Sequence, residues 1–99
     1  MFNVVDYINS VLKKKNWTRR RLCKEINKIE ELIGDRKTRV QNVTNYLNGY
    51  HSIGPKWLVK VEKALNLKED TLVSMVESPK TRVGIKELKE VKEKVRNIK

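Results

Sequence analysis

Cysteine, histidine and phenylalanine each occur once in the 99 residues, and proline only twice. One cysteine excludes an internal disulfide framework and a cysteine-based metal site, and it points to a reducing, cytoplasmic compartment. The single histidine, His51, has no paired cysteine or carboxylate cluster, so neither a metal site nor a catalytic role is expected of it. No nucleophile–base pair, carboxylate pair or glycine-rich phosphate loop occurs, which argues against an enzyme and against a cofactor. No apolar run approaches the roughly 18 residues that a membrane span requires. The opening MFNVVDYINS contains Asp6 and lacks a basic start, so it does not read as a signal peptide. Acidic residues are also scarce, with 12 Asp plus Glu against 23 Lys plus Arg and a formal net charge of +11. Such a surplus repels itself in the compact state and is best explained by a polyanionic partner, nucleic acid before an anionic membrane surface.

What remains is helical in period, with almost no alternating strand pattern. Over residues 4–14, Val5, Ile8, Val11 and Leu12 share a face, closed by Lys13, Lys14 and Lys15. A second helix starts after Thr18, a good N-cap, carries Leu22, Ile26, Ile29 and Ile33, and stops at Gly34 and Asp35. A third is expected over about 38–48, ending before Gly49, with Val43, Tyr46, Leu47 and Tyr50 inward. A fourth opens at Pro55 with Trp57, Leu58, Val61, Ala64 and Leu65, and a short fifth over 69–76 offers Leu72, Val73 and Val76. Residues 77–84, ESPKTRVG, read as a linker, and 85–99 as a basic amphipathic helix. The expected fold is all-α, a small domain over 1–76 followed by this linker and terminal helix.

Two stretches carry function. The outward face of the third helix, Thr38, Gln41, Asn45 and Asn48 flanked by Asn42 and Thr44, is amide and hydroxyl where an ordinary solvated face holds Lys and Glu. Asn and Gln can bridge two atoms of an adenine edge, and Thr can touch a thymine methyl. The second stretch is NWTRRRLCKE. Arg19, Arg20 and Arg21 fill the first turn of a helix, whose dipole places roughly +0.5 elementary charge there and favours Asp or Glu.

LKKKNWTRRRLCKEI resembles the first half of a helix-turn-helix domain of the phage-repressor (Cro/C1, or XRE) type, through Leu12, Trp17, Thr18, Leu22 and Cys23. VQNVTNYLNG resembles its recognition helix, and that of LacI-like repressors, through Val43, Thr44, Leu47, Asn48 and Gly49. IGPKWLVKVEKALNLKEDTL resembles the closing helices, with Pro55, Leu58, Ala64, Leu65 and Leu72 in place. The resemblance spans roughly residues 5–76 and implies a lambda-repressor-like domain that binds double-stranded DNA. The family joins its second and third helices by a tight turn, whereas this chain inserts residues around NKIEELIGDRK (27–37), read as an extension of the second helix.

The resemblance implies a role for the arginines. In the family the N-terminus of the second helix faces the DNA backbone, where helix N-termini already favour phosphate and arginine adds charge-assisted hydrogen bonds. Phosphate contacts are therefore expected from Thr18, Arg19, Arg20, Arg21, Lys37, Asn48, His51, Ser52 and Lys56. Base contacts are expected from Thr38, Arg39, Gln41, Asn42, Thr44 and Asn45. Cys23 reads as a small core residue more than as a redox sensor, and Trp17, Tyr46, Tyr50 and Trp57 as packing more than as a base-stacking platform.

The expected function is a sequence-specific transcriptional regulator of phage or plasmid style. The alternatives are an antitoxin or small protein inhibitor on the same scaffold, or an accessory protein of plasmid replication, transfer or partition. Leu88, Val91, Val95 and Ile98 form an apolar seam suited to a homodimer or a protein partner, while the helix's basic surplus suits a DNA-binding tail.

Overall fold

Each helix begins and ends where local chemistry permits. The computed structural model describes residues 3–98; Met1 and Phe2, and Lys99 at the end of the expected terminal helix, lie outside the described residues. Helix α1 (Val4–Lys15) opens on a capping box. The Asn3 side chain accepts the Asp6 backbone N–H at 3.0 Å, and the Asp6 carboxylate accepts the Asn3 N–H at 3.4 Å. Helix α2 (Arg19–Ile33) is capped by Thr18, whose Oγ1 accepts the Arg21 N–H at 3.1 Å, and it ends at Gly34 with φ of 74°. That left-handed conformation suits glycine, which lacks the Cβ that strains it. Helices α3 (Val40–Leu47), α4 (Pro55–Ala64) and α5 (Arg82–Arg96) complete the all-α fold, and the described residues contain no strand.

Helix α4 lies between α2 and α5, and α3 packs against α1 and α2. Ile8, Leu22, Ile26, Val43, Leu58, Val61, Leu65 and Leu72 are fully buried at this junction. Burying each such side chain contributes about 1.5–3 kcal/mol, and α4, which supplies Leu58 and Val61 and is followed by Leu65 at its C-cap, organises the core.

The structure departs from the sequence expectation in four places. The segment 69–76 is not a helix but a turn followed by a single 3-10 turn at Val73–Met75, because Asp70 takes the left-handed conformation with φ of 71°, and the buried Glu62 carboxylate holds the N–H groups of this turn. Its oxygens accept from the N–H of Asp70, Leu72 and Val73 at 3.2, 2.6 and 2.9 Å. Tyr50 is 73% exposed, lying beyond Gly49, whose φ of 79° turns the chain off the helix axis. The linker is shorter than 77–84, because Thr81 caps α5 by accepting the Gly84 N–H at 3.0 Å. Gly84 is thus part of the first turn, where an added Cβ would lie 2.9 Å from the Pro79 Cβ.

The fourth departure concerns the seam. Val95 is buried, and Leu88, Val91 and Ile98 pack partly buried against the chain's own core. Lys92 pairs with Asp70 at 2.7 Å, Arg96 pairs with Glu69, and Lys56 pairs with Glu87 at 2.6 Å, tying α5 to its neighbours. The apolar stripe thus packs at least in part against the chain's own core, where α5 meets α4 and α2.

Candidate nucleic-acid interface

The outward face of α3 is built by a helix only eight residues long. Val43 and Leu47 anchor it in the core, which at 100° per residue turns Gln41, Asn45 and Asn48 to the opposite side. Gln41 and Asn48 are exposed and Asn45 half-exposed. The Gln41 amide donates to the Asn45 Oδ1 at 3.2 Å, one turn apart. This bond limits the rotamers of both amides before any partner arrives, which lowers the entropy cost of using them. Asn42 is exposed on one flank and Thr44 half-buried on the other.

The basic start of α2 is joined to the end of α3. Arg19 donates from Nη1 to the Asn48 Oδ1 at 2.7 Å, so the N-terminus of one helix and the C-terminus of the other form one edge. Arg21 lies 4.8 Å and Lys15 5.4 Å from the centre of the Trp17 ring. The half-buried indole thus gathers cations from α1 and α2 by cation–π attraction. Arg21 also pairs with Glu25 at 3.3 Å. Burial pushes the Glu25 carboxyl up, but Lys28 and Arg21 more than offset this and hold it below the ordinary carboxylate value. Arg20 is exposed and without an acidic partner among the described residues. Of the three arginines, Arg20 is the one wholly available, Arg19 is braced and Arg21 is shared.

Thr38 does not join the polar face. It precedes the N-cap, Arg39, and its hydroxyl donates to Glu30 Oε2 at 2.6 Å while accepting from the Trp57 indole N–H at 3.1 Å. Its N–H donates to Glu30 Oε1 at 2.7 Å, and its carbonyl accepts from the Asn27 amide at 2.9 Å. Lys56 is likewise occupied by Glu87, and Lys37 lies 3.9 Å from Glu31. His51 and Ser52 are exposed between α3 and α4, with the His51 ring edge-on to Tyr46 at 6.4 Å. Tyr46 packs on Trp57 with ring centres 4.7 Å apart, so these two aromatics serve packing. Thr18 caps α2, and Arg39 is exposed at the start of α3 without a side-chain cap bond.

Sequence reasoning did not single out Glu30 and Lys60, which hold this surface in place. Glu30 is 0% exposed, and Lys60 donates to it at 2.7 Å and to Asp35 at 3.2 Å. A signal for both existed: Glu30 falls within the apolar stripe Ile26, Ile29 and Ile33, and Lys60 within Trp57, Val61 and Ala64. A charge on a buried face needs a partner. The described residues contain no cluster of His, Cys, Asp and Glu that could hold a metal ion. Among them, no helix is long and apolar enough to cross a membrane.

Cys23 is buried, and its thiol donates to the Thr38 carbonyl at 3.4 Å. Burial, and secondarily the Glu30 charge, push its pKa up, which disfavours the reactive thiolate. A disulfide reagent at neutral pH should therefore label native Cys23 only as the fold opens. Labelling at the rate of an unstructured thiol would contradict its placement.

Comparison of the chain with protein-family models, with curated proteins and with solved structures finds no match in any of the three.

Proposed function

We propose that this chain is a sequence-specific double-stranded DNA-binding protein, a transcriptional regulator of phage or plasmid type. In this reading α3 enters the major groove and the basic start of α2 rests on the phosphate backbone. One observation carries it: an uncharged amide face, Gln41, Asn45 and Asn48, is hydrogen-bonded through Asn48 to an arginine of an otherwise strongly basic edge. Amides read base edges, and arginines hold phosphates. Arginines that oppose the α2 dipole in the isolated protein become favourable contacts when phosphate arrives, a local rule broken where function resides.

The test begins with selection of bound fragments from random duplex DNA. On the selected site, Gln41→Ala or Asn45→Ala should cost about 1–3 kcal/mol and relax choice at one base pair, sparing non-specific affinity. Arg20→Ala should weaken binding to all duplexes alike. It should also make the slope of log affinity against log salt shallower by about 0.9. The same profile for Gln41→Ala and Arg20→Ala across sequence and salt would refute this division of labour. Absence of any selected duplex would refute the reading itself.

A further inference from the structure

We infer that the loop joining α2 to α3, residues 34–39, is a second phosphate clamp. It grips the DNA strand across the major groove from the strand held by the start of α2. The inference rests on the duplex-DNA reading above and adds a binding surface to it.

Basic side chains stand at both ends of α3. At its C-terminal end, the Arg19–Asn48 hydrogen bond fixes the first turn of α2, with Arg20 exposed beside it. At its N-terminal end stand Arg36 and Arg39, both exposed and without an acidic partner among the described residues. With Asn42 they line an open hollow of about 390 Å³ against the first turn of α3. Eight residues separate the two ends, about 12 Å at 1.5 Å per residue. The major groove is about 12 Å wide between its phosphate walls. A helix lying across it with cations at both ends meets one strand at each.

The loop is held firmly. Thr38 gives its N–H and hydroxyl to Glu30 at 2.7 and 2.6 Å, and its carbonyl receives the Asn27 amide. The Asp35 N–H donates to the Glu30 carbonyl at 2.8 Å. Lys60 then bridges the carboxylates of Glu30 and Asp35, offsetting one of the two acid charges that would repel a phosphate. Glu31 lies nearest Lys37, at 3.9 Å, so Arg36 and Arg39 are the cations left without an acidic partner among the described residues. A loop anchored by buried bonds and presenting arginines outward has already lost the freedom that binding would otherwise cost. Arg39 repeats the pattern of the α2 arginines, since it is a cation at a helix start whose first turn holds no acidic residue.

The experiment compares wild type, Arg20→Ala and the double variant Arg36→Ala/Arg39→Ala on the selected duplex, by salt titration and by phosphate-ethylation interference. Neither arginine of the double variant has a partner to lose, so a thermal melt should match wild type. Wild type should show interference on both strands flanking one major groove. The double variant should lose the signals on one strand only, with a salt slope shallower by about 1.8, from two contacts at about 0.9 each. Arg20→Ala should lose signals on the other strand. If the double variant keeps the wild-type slope and pattern while Arg20→Ala changes both, the clamp is refuted and the DNA reading stands. If it instead relaxes choice at a base pair with the slope unchanged, Arg39 reads bases and the clamp is again refuted. If wild type binds no duplex, both fall together.

Discussion

Replacing Lys60 with methionine should lower the stability of this protein by about 3–5 kcal/mol, the usual cost of removing one partner from a buried ion pair. The Glu30 carboxylate is fully buried, and the Lys60 side chain is 10% exposed. Both Glu30 oxygens accept hydrogen bonds, from Thr38 and Asn27 as well as Lys60. Methionine fills a similar volume but leaves the carboxylate with neutral donors and no countercharge. For a domain of this size each kcal/mol is worth about 4–8 °C of Tm, so a melt should fall by at least about 12 °C. The double variant Glu30→Gln/Lys60→Met should recover part of the loss, because it removes the stranded charge together with its partner. A Lys60→Met melt within a few degrees of wild type would show that the pair is not structural. Because Glu30 also anchors Thr38, any protein that remains folded should hold the start of α3 less firmly and, on the proposed DNA-binding reading, lose sequence discrimination.

Glu62→Ala should have the second largest effect, about 3 kcal/mol or more. The Glu62 carboxylate is the acceptor for three backbone N–H groups, those of Asp70, Leu72 and Val73. A buried donor left without a partner costs about 1–3 kcal/mol, and a carboxylate acceptor makes stronger bonds than a neutral one. Asn66 and Asp70 already hold left-handed conformations, with φ of 57° and 71°. The bonds to Glu62 are what keep that turn closed over the buried Leu72. Hydrogen exchange should therefore quicken first at the Leu72 and Val73 amides, ahead of those in α2 and α4. Glu62→Gln, which keeps one acceptor oxygen, should fall between the two. Protection at Leu72 unchanged in Glu62→Ala would mean that packing alone closes the turn.

Both cases involve a charged residue within an otherwise apolar helix stripe, and they show where the sequence was legible. Helix identity was readable because its causes lie within a few residues. Thr18 reaches the Arg21 N–H, Gly34 supplies the left-handed turn that ends α2, and Pro55 needs no donor at the first position of α4. The spacing of Val43 and Leu47 likewise turns Gln41 and Asn45 outward, so the amide face of the candidate interface follows from period alone.

The tertiary structure decided which polar side chains were left over for that interface. Thr38 reads as part of the amide face, yet its hydroxyl is occupied by Glu30, and Lys56 reads as a phosphate contact yet pairs with Glu87, 31 positions away. Tyr50 reads as core but lies outside it, and Leu88, Val91, Val95 and Ile98 read as a seam for a partner but cover the chain's own core. The segment 69–76 has helical spacing, but its N–H groups go to Glu62. Backbone hydrogen bonds and caps act over a turn or so, so periodicity records them. A buried carboxylate takes whichever donors the fold brings to it, and Glu30 meets Lys60 across 30 positions, a pairing that helix packing alone creates.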